Sequence, residues 1–266
     1  MPTARIRLDQ LLTERGLARS RAEAQALIHA GAVDFDGNRR LKPGQLVDRD
    51  ASVSLVEKPK WASRAGLKLE HALDAFGIDP TGVAALDAGA STGGFTDVLL
   101  ARGARVVYAV DVGRAQLIQR LRDDARVVSM ERTNLRDLRE LPEPIDLATL
   151  DLSFISLGLV LSAVRLLLAD DGRVVALTKP QFEAGRDAVP RGGVVTDPAT
   201  WERVLRNVAD AATEAGLHAH RVIRSPITGT DGNVEFLVDI RRDEGSDDEL
   251  ANDILSVVDA VHDDDG

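Results

Sequence analysis

Lys179 ends an apolar run, residues 174–178, in a chain whose 33 basic residues include only five lysines, at positions 42, 58, 60, 68 and 179. A lysine at the end of a buried strand can hold a proton or steer an oxygen atom. It can also be an ordinary solvated strand-end charge, and only the scarcity of lysine tilts the reading toward chemistry. Glu235 opens another apolar run and carries the same ambiguity. Lys68 lies on an amphipathic stretch with Leu69, Ala72, Leu73 and Phe76, where a solvated helix face is the ordinary explanation. Asp151, after the run 147–150, falls where a strand-end carboxylate stands at the mouth of a parallel sheet and can meet a ligand.

A second set of residues has the spacing of a nucleoside site. In Leu86-Asp87-Ala88-Gly89-Ala90-Ser91-Thr92-Gly93-Gly94-Phe95, an apolar run passes through a glycine-rich turn into a helical pattern. Glycines there let the backbone approach a ligand, and a helix start offers N–H groups. No Gly-Lys-Ser/Thr follows, so this is not a P-loop. Asp87 argues for a neutral or cationic ligand, such as a methionine-derived ammonium, over a pyrophosphate. About 20 residues on, Asp111 ends the next run, where a carboxylate accepts hydrogen bonds from ribose hydroxyls. Together the two motifs point to an adenosyl cofactor held by Asp87, Gly89, Ala90, Ser91, Gly93, Gly94, Phe95 and Asp111. Glu131 and Asn134, after the third run, could line the adenine side or be purely structural.

Composition narrows the reaction. The chain has no cysteine, which removes disulfides, thiolate zinc sites and any Cys nucleophile, and with it pyrimidine carbon-five methylation. No His pair has metal-site spacing, and no metal is expected. Base-amine methyltransferases carry Asn/Asp-Pro-Pro-Tyr/Phe where this chain has Asp151-Leu152-Ser153-Phe154. An oxygen acceptor is the reading best supported.

The elements that must position these groups read as an α/β fold. Strands are expected at 84–87, 105–111, 127–130, 147–150, 174–178, 219–223 and 234–239, and helices at 94–102, 115–122, 157–168 and 200–215. The alternation implies a parallel sheet covered on both faces. In front, residues 5–57 read as helix, helix, then short strands. Leu8, Leu11, Leu12 and Leu17 mark a first helix stopping near Gly16. Ser20 and Glu23 form a capping box for a second that ends at Gly31. A strand enters a tight turn at Asp36–Asn38, and a further strand, residues 53–56, closes the module. The expected domains are 1–57, a linker at 58–61 marked by Pro59, 62–242, and an acidic tail, 243–266, mobile or a loosely attached helix.

Residues 1–60 hold 11 basic and 8 acidic side chains, whereas the tail holds 10 acidic and no basic ones, equal to the whole net charge of −10. Nucleic-acid binding by neutralised phosphates therefore falls to the N-terminal module. Many Asp, many Arg and few Lys suggest a salt-loving host, although a GC-rich genome gives a similar bias. At molar salt the Debye length is about 3 Å and surface acidity repels RNA little. No apolar run approaches the roughly 20 residues of a membrane span, and no signal peptide is evident, so a cytoplasmic protein without membrane contact is expected. Nothing in the sequence speaks to oligomeric state.

In order along the chain, these segments resemble the TlyA family, which joins a ribosomal-protein-S4-like RNA-binding domain to an FtsJ-like ribose methyltransferase domain. The stretches carrying the resemblance are 7–12, 16–21, 42–44, 63–69, 87–95, 108–113, 151–157, 179–185 and 225–237. The family usually has Gly where this chain has Ala65. The resemblance implies a Rossmann-like S-adenosylmethionine-dependent domain behind a small α+β RNA-binding domain. It implies a catalytic tetrad of Lys68, Asp151, Lys179 and Glu235, with 2′-hydroxyls of cytidines in ribosomal RNA or ribosomal subunits as substrate. Phosphate contacts are expected from Arg5, Arg7, Arg19, Arg21 and Lys42, with Ser20 and Arg64 completing the RNA surface. As base, Lys179 must be neutral, which burial beside Lys68 favours; otherwise it steers the oxygen while the proton leaves during transfer. A non-catalytic RNA-binding factor and a haemolysin are the rival readings.

Overall fold

A computed structural model describes residues 5–29, 32–35, 41–55, 60–114, 116–185, 188–229 and 231–264, without the side chains of Ala26, His29 and 261–264. The chain divides into two compact units, Met1–Lys60 and Trp61–Gly266. The helix stop at Gly31, the turn at 36–38, Val56 and the linker residues Lys58 and Pro59 lie outside the described residues.

In the first unit, β1 (Arg5–Arg7) pairs antiparallel with β3 (Leu46–Asp48), and β2 (Val33–Phe35) with β4 (Val53–Leu55). The β1–β3 pair, absent from the sequence reading, brackets α1 (Leu8–Glu14) and α2 (Arg21–His29), with β1 ahead of them and β3 after them. Three-residue strands are too short for period-2 alternation to register. Leu8, Leu11, Leu12, Ala24, Ile28 and Val33 bury a small shared core. Gly16, at φ +71°, ends the first helix. Ser20 accepts from the Glu23 amide as expected of a cap, while Glu23 reaches back to the Arg19 amide instead of the cap residue's own.

The second unit holds a seven-stranded sheet in the order β10-β11-β9-β8-β5-β6-β7. The strands are β5 (Ala84–Ala88), β6 (Val106–Asp111), β7 (Val127–Glu131), β8 (Ile145–Leu150), β9 (Leu168–Thr178), β10 (His218–Arg224) and β11 (Phe236–Arg241). Alternate side chains feed two cores. Leu86, Val110, Ala176 and Val238 face α6 (Leu161–Leu167) and α8 (Pro198–Glu214). Ala85, Ala109, Leu177 and Leu237 face α3 (Ala65–Phe76) and α4 (Gly94–Ala101). Burial on both faces explains the continuous apolar runs.

The sheet is not wholly parallel. β11 runs antiparallel to both β9 and β10. Residues 225–235 alone separate β10 from β11, and a parallel return needs a crossover of a dozen residues or more, usually helical. The helix expected at 115–122 is only α5 (Gln119–Arg122), and Ala115 lies outside the described residues. A short helix, α7 (Pro180–Glu183), follows Lys179. The acidic tail is also ordered differently from expectation. Asp247–Asp264 forms α9, whose Leu250, Ile254 and Val258 enter the core at four-residue spacing. Asp253 accepts from the Val222 amide of β10, so the helix covers the sheet's edge strand.

Candidate active site

Asp111, Asp151 and Lys179 all follow or end parallel strands, so the fold gathers them at one rim of the sheet. Glu235 joins them because β11 runs the other way. Phe236 is paired with Thr178, which places the residue before Phe236 beside the residue after Thr178. Glu235 thus stands just ahead of its strand and does not open it, its carbonyl accepting from the Ser225 amide. The turn ahead of it is fixed by buried Asn233, whose carboxamide bonds the Val195 amide and the Gly193 carbonyl.

Two ion pairs form at this rim. Lys68, on α3, bonds Glu235 through its ammonium group, and both side chains are almost wholly buried. The Lys179 Nζ lies 2.6 Å from Asp151 Oδ1 and donates to Ser153 Oγ at 3.1 Å. All four charged groups line one cavity with Arg64, Gly89, Ala90, Ser91, Gly94 and Phe95. Arg64 thus faces the catalytic-unit cavity, its guanidinium donating to the Thr228 carbonyl.

A second cavity, of about 350 Å³, shares Gly89, Ser91 and Asp151 with the first. Its walls include Val110, Leu135, Leu152, Ile155 and Val160, with Asp111, Gln116 and Asn134 as polar groups. Asp111 accepts from the amides of Ser91 and Gly113, tying the glycine turn to the end of β6. A Cβ on Gly89 would lie 2.4 Å from the Asp151 carbonyl oxygen, so only glycine lets the two strand-end loops touch. Asn134 caps the short turn Leu135–Asp137 through the Arg136 amide.

Of the residues expected at the cofactor, Ala90, Gly94 and Phe95 line only the first cavity, and three line neither. Asp87 is fully buried and lines neither cavity; it accepts from the amide and hydroxyl of Thr96, tethering α4. Its alternation with Leu86 and Ala88 turns it toward the face covered by α3 and α4. Burial pushes its carboxyl up to about 7, against the Thr96 hydrogen bonds and with help from the charge of Asp151. Gly93, at φ +97°, starts α4 and packs against Leu117 and Leu121. Glu131 also lines neither cavity, and its Oε1 is buried without a hydrogen-bond partner among the described residues.

Sequence reasoning missed Ser153 and Phe154 as individual residues. Phe154 is 90% exposed, has φ +64°, and its ring centroid lies 5.0 Å from that of Phe182. An exposed aromatic on a left-handed backbone, next in the chain to the Ser153 that bonds Lys179, offers a flat face of the kind on which a base can stack. Nothing in sequence periodicity marks exposure of that kind. Glu183, pushed up by burial, accepts from Ser156 and the Leu157 amide and so braces the loop carrying both residues.

In the N-terminal unit, Arg7 and Arg21 converge on Asp9, Arg19 pairs with Glu23, and Arg5 lies 3.9 Å from Asp48. Ser20 spends its hydroxyl oxygen on the helix cap, and Lys42 starts the turn bonded to Gln45. Among the described residues no cluster could hold a metal ion, and no helix is long and apolar enough to cross a membrane.

The FtsJ-like methyltransferase family model matches residues 61–242, and the S4 domain model residues 6–53. The chain is 48% identical over 243 residues to the 16S/23S rRNA (cytidine-2′-O)-methyltransferase TlyA of Mycobacterium tuberculosis, covering 89% of this chain and 90% of that one. It is 39% identical to Hemolysin A of Brachyspira hyodysenteriae, covering 87% and 98%. A solved structure of a candidate hemolysin from Streptococcus thermophilus superposes with a TM-score of 0.76 at 41% identity, covering 98% of this chain and 97% of the other.

Proposed function

Because the chain belongs to the TlyA family of FtsJ-like methyltransferases, we propose that it transfers a methyl group from S-adenosylmethionine to cytidine ribose 2′-hydroxyls in ribosomal RNA, within ribosomal subunits in the cytoplasm. The observation that carries the reading is the meeting of Lys68, Asp151, Lys179 and Glu235 in a cavity that shares a wall with a nucleoside-sized one.

The second cavity suits the cofactor. Its apolar walls match an adenine ring, and Asp111 stands at the strand end where a carboxylate takes ribose hydroxyls. Asp151, common to both cavities, offers negative charge toward a sulfonium. Bound there, the cofactor supplies an electrophilic methyl group. The protein's own task is then to place the acceptor oxygen, whose proton passes to solvent water as the methyl group is transferred. An ammonium has three N–H donors, and Asp151 and Ser153 engage two on Lys179. The remaining one is aimed by these two bonds, and Lys179 steers the ribose oxygen with it. Lys68 and Glu235 close the far wall as a neutral, buried pair. Phe154 receives the base, and positioning of this kind contributes several kcal/mol.

Arg5, Arg7, Arg19, Arg21 and Lys42 give the N-terminal unit its phosphate contacts. The test is transfer from labelled cofactor to unmodified ribosomal RNA and subunits, in low and molar potassium chloride, followed by nucleoside analysis. The expected product is 2′-O-methylcytidine, and Lys179→Ala should abolish its formation while cofactor affinity stays near wild type. A methylated base, or normal turnover by Lys179→Ala, refutes the assignment.

A further inference from the structure

Asp9 is an acid in the middle of a surface that must bind an acid. It lies in the first turn of α1, is fully buried, and collects four donors. Arg7 binds it through both edges, Nε to Oδ1 at 3.0 Å and Nη2 to Oδ2 at 2.8 Å. Arg21 Nη2 reaches Oδ2 at 3.2 Å, and Gln25 Nε2 the same oxygen at 2.9 Å. The Arg7 hydrogen bonds, with those of Gln25 and Arg21, hold this carboxyl well below the usual range against the opposing push of burial.

The consequence lies with the arginines. Sharing one oxygen keeps the two Nη2 atoms within two hydrogen-bond lengths of each other, while the side chains remain about half exposed, at 43% and 55%. Arg7 is also held from behind. A Cβ on Gly44 would stand 3.0 Å from Arg7 Nη1, so the 43–45 turn lies flat against the guanidinium. Two planar forks, fixed side by side with outer edges in solvent, match the oxygens of a single phosphate. Among the other described arginines of this unit, none shares a buried carboxylate with a second arginine, and Arg49 pairs singly with the part-exposed Glu14. Arg19 meets Glu23 with its own side chain 92% exposed, and Arg5 stands 3.9 Å from Asp48.

We propose that Asp9 is a positioning residue for RNA binding, locking Arg7 and Arg21 into a two-guanidinium clamp for one backbone phosphate. The inference rests on the RNA-binding reading above. Its test has a sign that a purely electrostatic role lacks. Asp9→Asn removes a negative charge from a phosphate-binding face, and charge alone would tighten binding and steepen its salt dependence. A lost clamp instead weakens binding by about tenfold and lowers the salt slope by about one phosphate contact.

The experiment measures binding of the full chain to an unmodified ribosomal RNA transcript across a potassium chloride series, with circular dichroism to follow folding. Asp9→Asn should bind more weakly, and Asp48→Asn, which removes a loosely held surface acid, should bind as well as wild type or better. Arg7→Lys and Arg21→Lys keep the charge but lose the fork, and each should lose affinity about tenfold. Equal or tighter binding by a folded Asp9→Asn overturns the proposal. If that variant unfolds the N-terminal unit, wild-type affinity in both lysine variants overturns it, and loss in both supports it. A wild-type chain that binds no ribosomal RNA refutes the RNA reading itself, whereas failure of the clamp leaves wild-type binding intact.

Discussion

Glu235→Ala should cost this protein far more stability than an ordinary alanine substitution, and a second substitution should restore the stability without the activity. Glu235 is 3% exposed and its partner Lys68 6%. Removing the carboxylate leaves an ammonium group in a cavity wall with its counter-charge gone. Breaking a buried pair from one side costs about 3–5 kcal/mol, against about 5–15 kcal/mol for a whole domain. In a unit of this size each kcal/mol lowers the melting temperature by about 2–4 °C, so the variant should melt roughly 6–20 °C lower. Lys68→Met combined with Glu235→Leu removes both charges, and such replacements are commonly neutral or stabilising. The double variant should therefore melt near or above wild type while methyl transfer stays at background. Thermal and urea unfolding beside a labelled-methyl assay read both quantities. A single variant within about 1 kcal/mol of wild type, or a double variant no better than the single, refutes the argument that these charges are held in place for chemistry at the expense of stability.

Two other outcomes follow from the same structure. Asp87, pushed up to about 7 by burial, binds a proton more readily folded than unfolded, so its contribution to stability is full at acid pH and lost as pH rises toward 7. Asp87→Asn should flatten the stability–pH curve between about pH 4 and 7, by up to roughly 4 kcal/mol; an unchanged curve refutes the assignment. Ile254, on α9, is 2% exposed in the main core. Ile254→Ala should destabilise the catalytic unit by about 2–5 kcal/mol in urea unfolding, and a change below 0.5 kcal/mol would return the segment to a loose tail.

Which parts of this molecule were legible in the sequence depends on how far apart the interacting residues lie. Continuous apolar runs, a glycine turn at 89–94 and an acid at the next strand end are local patterns, each confined to a few residues, and they specify an α/β sheet with a nucleoside site at its rim. The inward turn of Asp87 was also available locally, since alternation with Leu86 and Ala88 assigns it the opposite face. The antiparallel placement of β11 was not local, because strand order is settled by which edges can pair once the helices cover the faces. That placement brings Glu235 to Lys179. Lys68 meets Glu235 across 167 positions of sequence, a contact that no window of residues encodes. α9 reads as an acidic run until β10 offers an edge and a core for Leu250, Ile254 and Val258. The sequence by itself therefore determined the elements and the kind of chemistry. Only the tertiary structure decided which charges are buried together, because that depends on sheet order and face, quantities that exist only after the chain has closed on itself.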